Sequence, residues 1–175
     1  MYKKYLITGA TGFLGRAVTA EIAHKGAEIY ALTLAGDRLA DKLPAGVHRV
    51  EGDVCNISSL ENFFGVAGSD TCVIHCAGIV SVATHPGRKI YEVNVGGTKN
   101  IVAQCFAHNV GKLIYVSSVH AIPEKPKGTE ISESYDFSPK SVCGDYAKSK
   151  AIATRHVLAA AGRGLNASIV FPSGI

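Results

Sequence analysis

Short apolar segments alternate with segments of helical periodicity along the 175-residue chain, and this alternation constrains the fold more than any other feature. The segments typical of strands are residues 4–8, 28–34, 47–51, 71–76, 112–117 and 167–171. Apolar residues recur at helical spacing in residues 12–25, 56–64, 88–109 and 144–161. Strands joined by helical crossovers run parallel and are buried on both faces. The pattern therefore predicts an α/β fold with three layers, a doubly wound parallel sheet ordered 3-2-1-4-5-6.

Three glycines spaced three residues apart, Gly9, Gly12 and Gly15, follow the first predicted strand. Their GxxGxxG spacing differs from the commoner GxGxxG, but the physical reasoning is similar. Glycines permit a tight turn and a close backbone approach, and the start of the next helix attracts an anion. Phe13 and Leu14 would offer backbone N–H groups there, and we expect their side chains to pack inward. The motif predicts a pyrophosphate site in a Rossmann-type fold; a strand-to-helix turn without a ligand is the alternative.

Tyr146 and Lys150 are four residues apart in the predicted helix 144–161, so they lie one turn apart on the same face. An ammonium beside a phenol favours the phenolate, which makes a tyrosine usable as a general acid or base. A surface pair on an amphipathic helix is the alternative. Combined with a dinucleotide at the other end of the chain, the pair indicates hydride transfer.

Several spaced motifs, in the same order, resemble those of the extended short-chain dehydrogenases/reductases, also called the NAD-dependent epimerase/dehydratase family. The resemblance covers essentially the whole chain. The motifs that carry it are Thr8-Gly-Ala-Thr-Gly-Phe-Leu-Gly15, Gly52-Asp-Val54, His75-Cys-Ala-Gly78, Asn94-Val-Gly-Gly-Thr98, Val116-Ser-Ser118, Tyr146-xxx-Lys150 and Phe171-Pro172. The resemblance implies an NAD(P)-dependent oxidoreductase.

The resemblance also implies a catalytic set, which consists of Ser118, Tyr146, Lys150 and Asn94. Tyr146 would exchange a proton with the substrate oxygen, and Ser118 would orient that oxygen. Lys150 would hold the ribose hydroxyls of the cofactor, and Asn94 would support the lysine. Ser117 is the near alternative to Ser118, because the end of a strand is uncertain by a residue in sequence. For Asn94 the alternative is a polar surface position.

A larger set is implied for the cofactor. Asp53 would accept a hydrogen bond from the adenine amino group, or else cap the helix before Asn56. Small residues after the fourth strand would leave room for the ribose on the nicotinamide side, and a proline after the sixth strand would border the nicotinamide ring. The whole set is Gly9, Thr11, Gly12, Phe13, Leu14, Gly15, Asp37, Arg38, Asp53, Val54, Cys76, Ala77, Gly78, Ser117, Tyr146, Lys150, Phe171 and Pro172.

The choice between NAD and NADP depends on the residues after the second strand. An acidic residue there binds the ribose 2′-hydroxyl of NAD, whereas an arginine accepts the 2′-phosphate of NADP. Asp37 and Arg38 follow each other at this place. The cofactor is therefore predicted to be NAD or NADP, with a preference for NAD.

Two departures from the family pattern concern the substrate. Sugar-nucleotide members carry Tyr-Gly four residues after the catalytic serine or threonine, where this chain has Ile122-Pro123. Sugar dehydratases carry Asp-Glu directly after it, where this chain has Val119-His120. The departures favour a dihydroflavonol-reductase-like or 3β-hydroxysteroid-dehydrogenase-like enzyme that acts on a secondary alcohol or ketone. A nucleotide-sugar epimerase and a non-catalytic NAD(P)-binding protein are the alternatives. His120 would either touch the substrate or lie exposed in a loop.

Composition limits the partners. The net charge is +4, but the basic residues are scattered, which argues against nucleic acid as a partner. No apolar run reaches the roughly 20 residues of a membrane span. The five cysteines show no metal-ligand spacing, so we expect no metal and place them in the core of a cytoplasmic protein. The predicted partner is a small-molecule substrate, and a homodimer is the assembly considered.

We expect the 175 residues to form one dinucleotide-binding domain. Members of the family continue well beyond the sixth strand. The C-terminal substrate-binding region is therefore expected to be absent from this chain, and the chain alone to be inactive. Residues 121–140, which contain three prolines, are expected to form a surface loop beside the site.

Overall fold

A six-stranded parallel sheet organises the computed structural model, which describes residues 2–81, 87–130, 132–133 and 136–174. The strands are β1 (Lys4–Thr8), β2 (Glu28–Thr33), β3 (His48–Glu51), β4 (Thr71–His75), β5 (Lys112–Val116) and β6 (Ala167–Val170). Their order in the sheet is β3-β2-β1-β4-β5-β6, and every neighbouring pair is parallel. The predicted fold class and strand order are confirmed, and each predicted strand end is correct to within one residue.

Helices cover both faces of this sheet. They are α1 (Phe13–His24), α2 (Glu61–Phe64), α3 (Lys89–Tyr91), α4 (Thr98–Ala107) and α5 (Asp145–Ala161). Turns of 3₁₀ helix occupy Arg38–Lys42, Ile57–Leu60 and Val119–Ala121. The side chain of Asn56 accepts a hydrogen bond from the Ser58 N–H, so it caps the turn before α2.

The predicted helix 88–109 is not uniform. Between α3 and α4 the segment Glu92–Gly97 is π-helical, a rare geometry that is common at functional sites. A Cβ at Gly97 would lie 2.7 Å from Cγ2 of Val54, so the glycine allows close contact with the turn after β3. The sequence showed this only as a pair of glycines in the middle of a helical pattern.

Each face of the sheet has its own core. Leu6 and Ile7 are neighbours in β1 and both are fully buried, but they belong to different clusters on opposite faces. The cluster around Leu6 includes residues of α4 and α5, and the cluster around Ile7 packs against Val18 and Ile22 of α1. Burial on both faces explains why the central strands β1 and β4 are rich in apolar residues.

A third, smaller cluster lies beside the amino end of α5. Phe137 is only 3% exposed and packs with Ala147 and Ala151 of α5, and its ring stacks on Phe171 at 5.3 Å. The prediction of a surface loop is therefore wrong at Phe137, because this aromatic side chain fixes the segment against α5. Residues 131, 134 and 135 of that predicted loop lie outside the described residues.

The cysteines are less uniform than expected. Cys72 and Cys105 are buried and Cys76 is partly buried, whereas Cys55 and Cys143 are exposed, and all five are free thiols. The placement of the cysteines in the core is thus wrong for the two exposed ones. Among the helices in the described ranges, none combines the length and apolar character needed to cross a bilayer.

Candidate functional site

A cleft of about 430 Å³ opens where the carboxyl ends of β1, β4, β5 and β6 meet the amino end of α5. The strand order reverses between β1 and β4, the place where open α/β sheets bind their ligands. The predicted residues that line it are Gly9, Gly12, Phe13, Leu14, Gly15, Cys76, Gly78, Ser117, Ser118, Tyr146, Lys150 and Pro172. The fold thus brings residues from both ends of the chain into one cavity.

Other predicted residues lie outside the cleft wall. They are Thr11, Asp37, Arg38, Asp53, Val54, Ala77, Asn94 and Phe171. Asp53 is exposed, and its Oδ1 accepts a hydrogen bond from the Cys55 N–H at 2.9 Å. Helix capping, the alternative for Asp53, is wrong because Asn56 fills that role. Asp37 accepts a hydrogen bond from the Leu39 N–H at 2.9 Å and so caps the turn that begins at Arg38.

Some residues of the cleft wall were missed by the sequence reasoning. They are Val80, Ser81, Val116, Ser173 and Gly174, whereas His120, which was considered as a substrate contact, also lines the cleft. Val116 ends β5, and Ser173 and Gly174 come shortly after β6. Their positions at the carboxyl ends of parallel strands were the available signal. His120 is exposed and its ring lies edge-on to that of Tyr146, with 6.1 Å between centroids.

The glycine turn between β1 and α1 is built from close backbone contacts. Gly9 has φ +66°, and a Cβ there would lie 2.6 Å from the backbone nitrogen of Ala77. A Cβ at Gly15 would collide with the carbonyl oxygen of Gly9. Gly12 is the N-cap of α1 and has no side chain to bond the first amides of the helix. Those N–H groups therefore suit an anionic ligand, and the turn fits a pyrophosphate.

Phe13 differs from the expectation. Its side chain is 73% exposed, so the prediction that it packs inward is wrong, whereas Leu14 is partly buried. Both residues line the cleft. Phe13 is the first residue of α1 and follows the glycine turn, so it lies at the edge of the site rather than against the sheet.

Lys150 is buried, with only 5% of its surface exposed, yet it reaches the cleft. Its Nζ donates a hydrogen bond of 2.8 Å to the carbonyl oxygen of Val116 and lies 5.1 Å from the centroid of the Tyr115 ring. A Cβ at Gly78 would approach Nζ to 3.4 Å, so the glycine leaves space beside the amine. Burial lowers the pKa of Lys150 to about 8. Tyr146, one helical turn earlier on α5, is partly exposed.

Asn94 lies in the π-helical segment and is 1% exposed, which excludes the alternative of a polar surface residue. Its Oδ1 accepts from the Ile79 N–H at 2.7 Å, and its Nδ2 donates to the Ile79 carbonyl at 3.0 Å. Nδ2 also donates to Oγ of Ser149 at 3.0 Å. Asn94 therefore joins the turn after β4 to α5 at the residue before Lys150.

A buried hydrogen-bonded chain, which sequence reasoning missed, runs through His75. Its Nδ1 lies 2.7 Å from Oγ1 of Thr8, and its Nε2 lies 3.0 Å from Oγ1 of Thr98. Burial, helped by the charge of Lys150, lowers the pKa of His75 to about 3, so the ring is neutral. Thr98 donates its hydroxyl proton to the Asn94 carbonyl, so it accepts from Nε2–H and Thr8 donates to Nδ1. The chain connects the end of β1 to the π-helical segment.

Ser117 and Ser118 both line the cleft, but their hydroxyls are bound differently. Oγ of Ser117 lies 2.7 Å from Oγ1 of Thr154 on α5, within a buried pair. Oγ of Ser118 accepts a hydrogen bond from the His120 N–H at 3.2 Å. The Ser117 hydroxyl therefore has a partner in the core, and the Ser118 hydroxyl keeps its proton for another acceptor.

Comparison with known proteins identifies a family whose sequence profile this chain matches. The sequence profile of the NAD dependent epimerase/dehydratase family matches residues 5–174. The chain is 32% identical to human 3 beta-hydroxysteroid dehydrogenase type 7 over 168 residues, which is 91% of this chain and 45% of that protein. It is 30% identical to a putative dihydroflavonol 4-reductase of Synechocystis sp. over 169 residues, 97% of this chain and 48% of that protein.

A solved structure of another protein has the same fold and contains bound NAD. The UDP-glucose 4-epimerase of Thermus thermophilus, in complex with NAD, superposes with a TM-score of 0.80 and 26% identity. The match covers 96% of this chain and 54% of the epimerase. The chain spans about half the length of the curated relatives that it matches.

Proposed function

The chain belongs to the NAD-dependent epimerase/dehydratase family, and we propose that it is the cofactor-binding part of an NAD(P)-dependent oxidoreductase acting on a secondary alcohol or ketone. The observation that carries this proposal is the meeting of the glycine turn, Ser118, Tyr146 and Lys150 in one cleft. The matches to a 3β-hydroxysteroid dehydrogenase and a putative dihydroflavonol reductase support the reductase branch. Ile122-Pro123 and Val119-His120, in place of the epimerase and dehydratase motifs, support it too.

Some residues of the cleft would bind the cofactor, and others would act on the substrate oxygen. The amides that open α1 would hold the pyrophosphate, and Lys150 and the space at Gly78 would accommodate the ribose on the nicotinamide side. When bound, the nicotinamide supplies or accepts the hydride. Tyr146 exchanges a proton with the substrate oxygen, and Lys150, one turn away, stabilises negative charge on the tyrosine oxygen. Ser118 donates a hydrogen bond to the substrate oxygen.

Titration with NAD(H) and NADP(H), followed by calorimetry, tests the cofactor part of the proposal. Binding of either dinucleotide is expected, with preference for NAD because Asp37 precedes Arg38 after β2. Absence of binding by the folded protein would refute the proposal. Tighter binding of NADP would reverse only the choice of cofactor and assign the 2′-phosphate to Arg38.

Replacing Ser118 by Ala is expected to lower turnover by at least about tenfold with little change in cofactor affinity, because its hydroxyl acts on the reacting oxygen. Ser117→Ala is the matched control. It removes the bond to Thr154 and should cost about 1 kcal/mol of unfolding free energy while turnover stays within about twofold. Steady-state kinetics and chemical denaturation separate the two effects. A larger loss of turnover in Ser117→Ala would transfer the catalytic role to Ser117.

Cofactor affinity is expected to fall as pH rises through about 8, by up to about tenfold per pH unit, because Lys150 loses its proton there. The stability changes in the opposite direction. The folded-state pKa lies below the ordinary 10.5, so the unfolded chain binds more protons between these values and the unfolding free energy rises. Lys150→Arg keeps its charge over this range, so its affinity for the cofactor should depend little on pH. Calorimetry from about pH 6 to about pH 10 measures the affinity, and an equally flat profile for the wild type would contradict the assignment.

Two other functions remain as alternatives, an epimerase of the same family and a protein that binds the dinucleotide without catalysis. A panel of ketones, secondary alcohols and nucleotide sugars distinguishes all three. It is applied to the longest natural polypeptide that carries this sequence. We expect cofactor oxidation or reduction with the ketones or alcohols. Epimerisation of a nucleotide sugar without net cofactor turnover, or binding without any reaction, would identify one of the alternatives.

A further inference from the structure

Lys150 is a buried cation with little visible compensation. The ion pairs found among the described residues leave Lys150 out, and the hydrogen bond that its Nζ makes there goes to the neutral carbonyl of Val116. A buried ammonium is costly unless other groups offset the lost hydration. Something other than a carboxylate must therefore stabilise this charge inside the fold.

The ring of Tyr115 is in the right place to do so. It is fully buried in β5, and Nζ of Lys150 lies 5.1 Å from its centroid, within the roughly 6 Å over which an aromatic face attracts a cation. The ring of His75 stacks near it, with centroids 5.6 Å apart and planes inclined by 29°. The sheet and this stacking fix the ring, so its face cannot turn away from the lysine.

We propose that Tyr115 is a positioning residue whose aromatic face keeps Lys150 protonated and in place at the floor of the cleft. The inference rests on the proposed role of Lys150 in holding the cofactor, and it adds a residue that neither the motifs nor the cleft wall pointed to. A hydrophobic side chain of similar size would fill the space without attracting the charge.

The hydroxyl of Tyr115 does not account for the stabilisation of the Lys150 ammonium. It is buried, it has no hydrogen-bond partner among the described residues, and burial raises its pKa far above the ordinary value. A buried hydroxyl without a partner destabilises the fold. The ring therefore accounts for the contact with Lys150, and Phe at this position should serve equally well.

Two titratable groups that interact with Lys150, Cys76 and His75, do not titrate in the pH range in which it does. Burial raises the pKa of Cys76 to about 11 and lowers that of His75 to about 3, so both are neutral near pH 8. These two residues come from β4 and the turn that follows it, and they interact with Lys150 electrostatically. Other titratable or charged side chains on α5 are Asp145, Tyr146, Lys148, Arg155 and His156, and the elements packed against it carry Lys89, Tyr91, Glu92, Lys99, Cys105 and His120.

Nuclear magnetic resonance of the chain labelled with ¹³C-lysine tests the proposal without any turnover assay. The Lys150 signal is assigned by its loss in Lys150→Arg, and its titration midpoint is measured in each variant. Tyr115→Phe should titrate as the wild type does. Tyr115→Leu should titrate about one pH unit lower, because the cation loses the aromatic face. If the ring only shielded the amine from water, its removal would instead admit water and raise the midpoint.

Phe63→Leu is the matched control, since Phe63 is also fully buried and makes an edge-on contact with Phe64. It should destabilise the fold without moving the Lys150 midpoint.

If Tyr115→Leu does not fold, fluorinated phenylalanines at position 115 weaken the attraction between the ring face and the cation at nearly constant side-chain shape. The midpoint should then fall stepwise with each fluorine. An unchanged or raised midpoint in folded Tyr115→Leu, or across the folded fluorinated series, would overturn the proposal.

The outcome is independent of the proposed function. A protein that binds no dinucleotide would refute the role of Lys150 as a cofactor ligand, yet the titration series would still show whether Tyr115 stabilises its charge. Conversely, normal cofactor binding with a midpoint indifferent to the ring would refute the role of Tyr115 alone.

Discussion

Replacing Tyr146 by Phe is expected to lower turnover at least about a hundredfold, the low end for losing a positioned general acid. The change removes one hydroxyl from a partly exposed side chain in an open cleft, so the fold and the cofactor affinity should be nearly unchanged. The loss should appear in turnover rather than in the Michaelis constant, because the proton moves only in the transition state. Steady-state kinetics on the natural polypeptide that contains this chain, with its best ketone or alcohol, measure the effect.

Tyr91→Phe provides the matched control for this substitution. The Tyr91 hydroxyl donates a hydrogen bond of 2.9 Å to Asp145 at the start of α5, and Tyr91 is not part of the cleft wall. The same chemical change there should cost about 1 kcal/mol of stability and leave turnover within about twofold. Near wild-type turnover in Tyr146→Phe would exclude Tyr146 as the proton donor. Equal losses in both variants would point to a general effect on α5.

The sheet could be predicted from sequence because its central strands are buried on both faces. A segment such as residues 71–76 carries only two polar side chains, Thr71 and His75, and a mostly apolar run of that length between turns fits a central parallel strand. The glycine turn and the Tyr146–Lys150 pair are also local patterns. Their meeting in one cleft follows from the strand order alone, since the carboxyl ends of parallel strands share one edge of the sheet.

Features that depend on contacts distant in sequence could not be predicted. The π-helical turn at Asn94 ends at Gly97, which approaches Val54 closely, and no helical periodicity encodes either feature. His75 looks like one more buried strand residue until Thr8 and Thr98 are found at its two nitrogens. Phe13 was misplaced because helical spacing puts it with the apolar face, although the helix begins there and its first turn borders the cleft.

Replacing Gly12 by Val is expected to abolish dinucleotide binding, a loss of at least about a hundredfold in affinity if the pyrophosphate must approach the amides of α1. Gly12 is the best of the three glycines for this test. Side chains at Gly9 or Gly15 would clash with the backbone of the turn itself, so those variants would change the fold as well. A Cβ at Gly12 meets only the Gly9 carbonyl, at 3.2 Å, and the φ of −70° suits any residue.

Gly162→Val serves as the control for the glycine substitution. Gly162 ends α5 with φ −63° on the surface, and a Cβ there would make only ordinary contacts at 3.7 Å. Calorimetric titration should therefore show unchanged dinucleotide affinity in Gly162→Val and no measurable binding in Gly12→Val, with both variants folded by circular dichroism. Normal affinity in a folded Gly12→Val would mean that the phosphates bind elsewhere. The turn after β1 would then be only a strand-to-helix connection, and the proposed site would lose the residues that hold the anion.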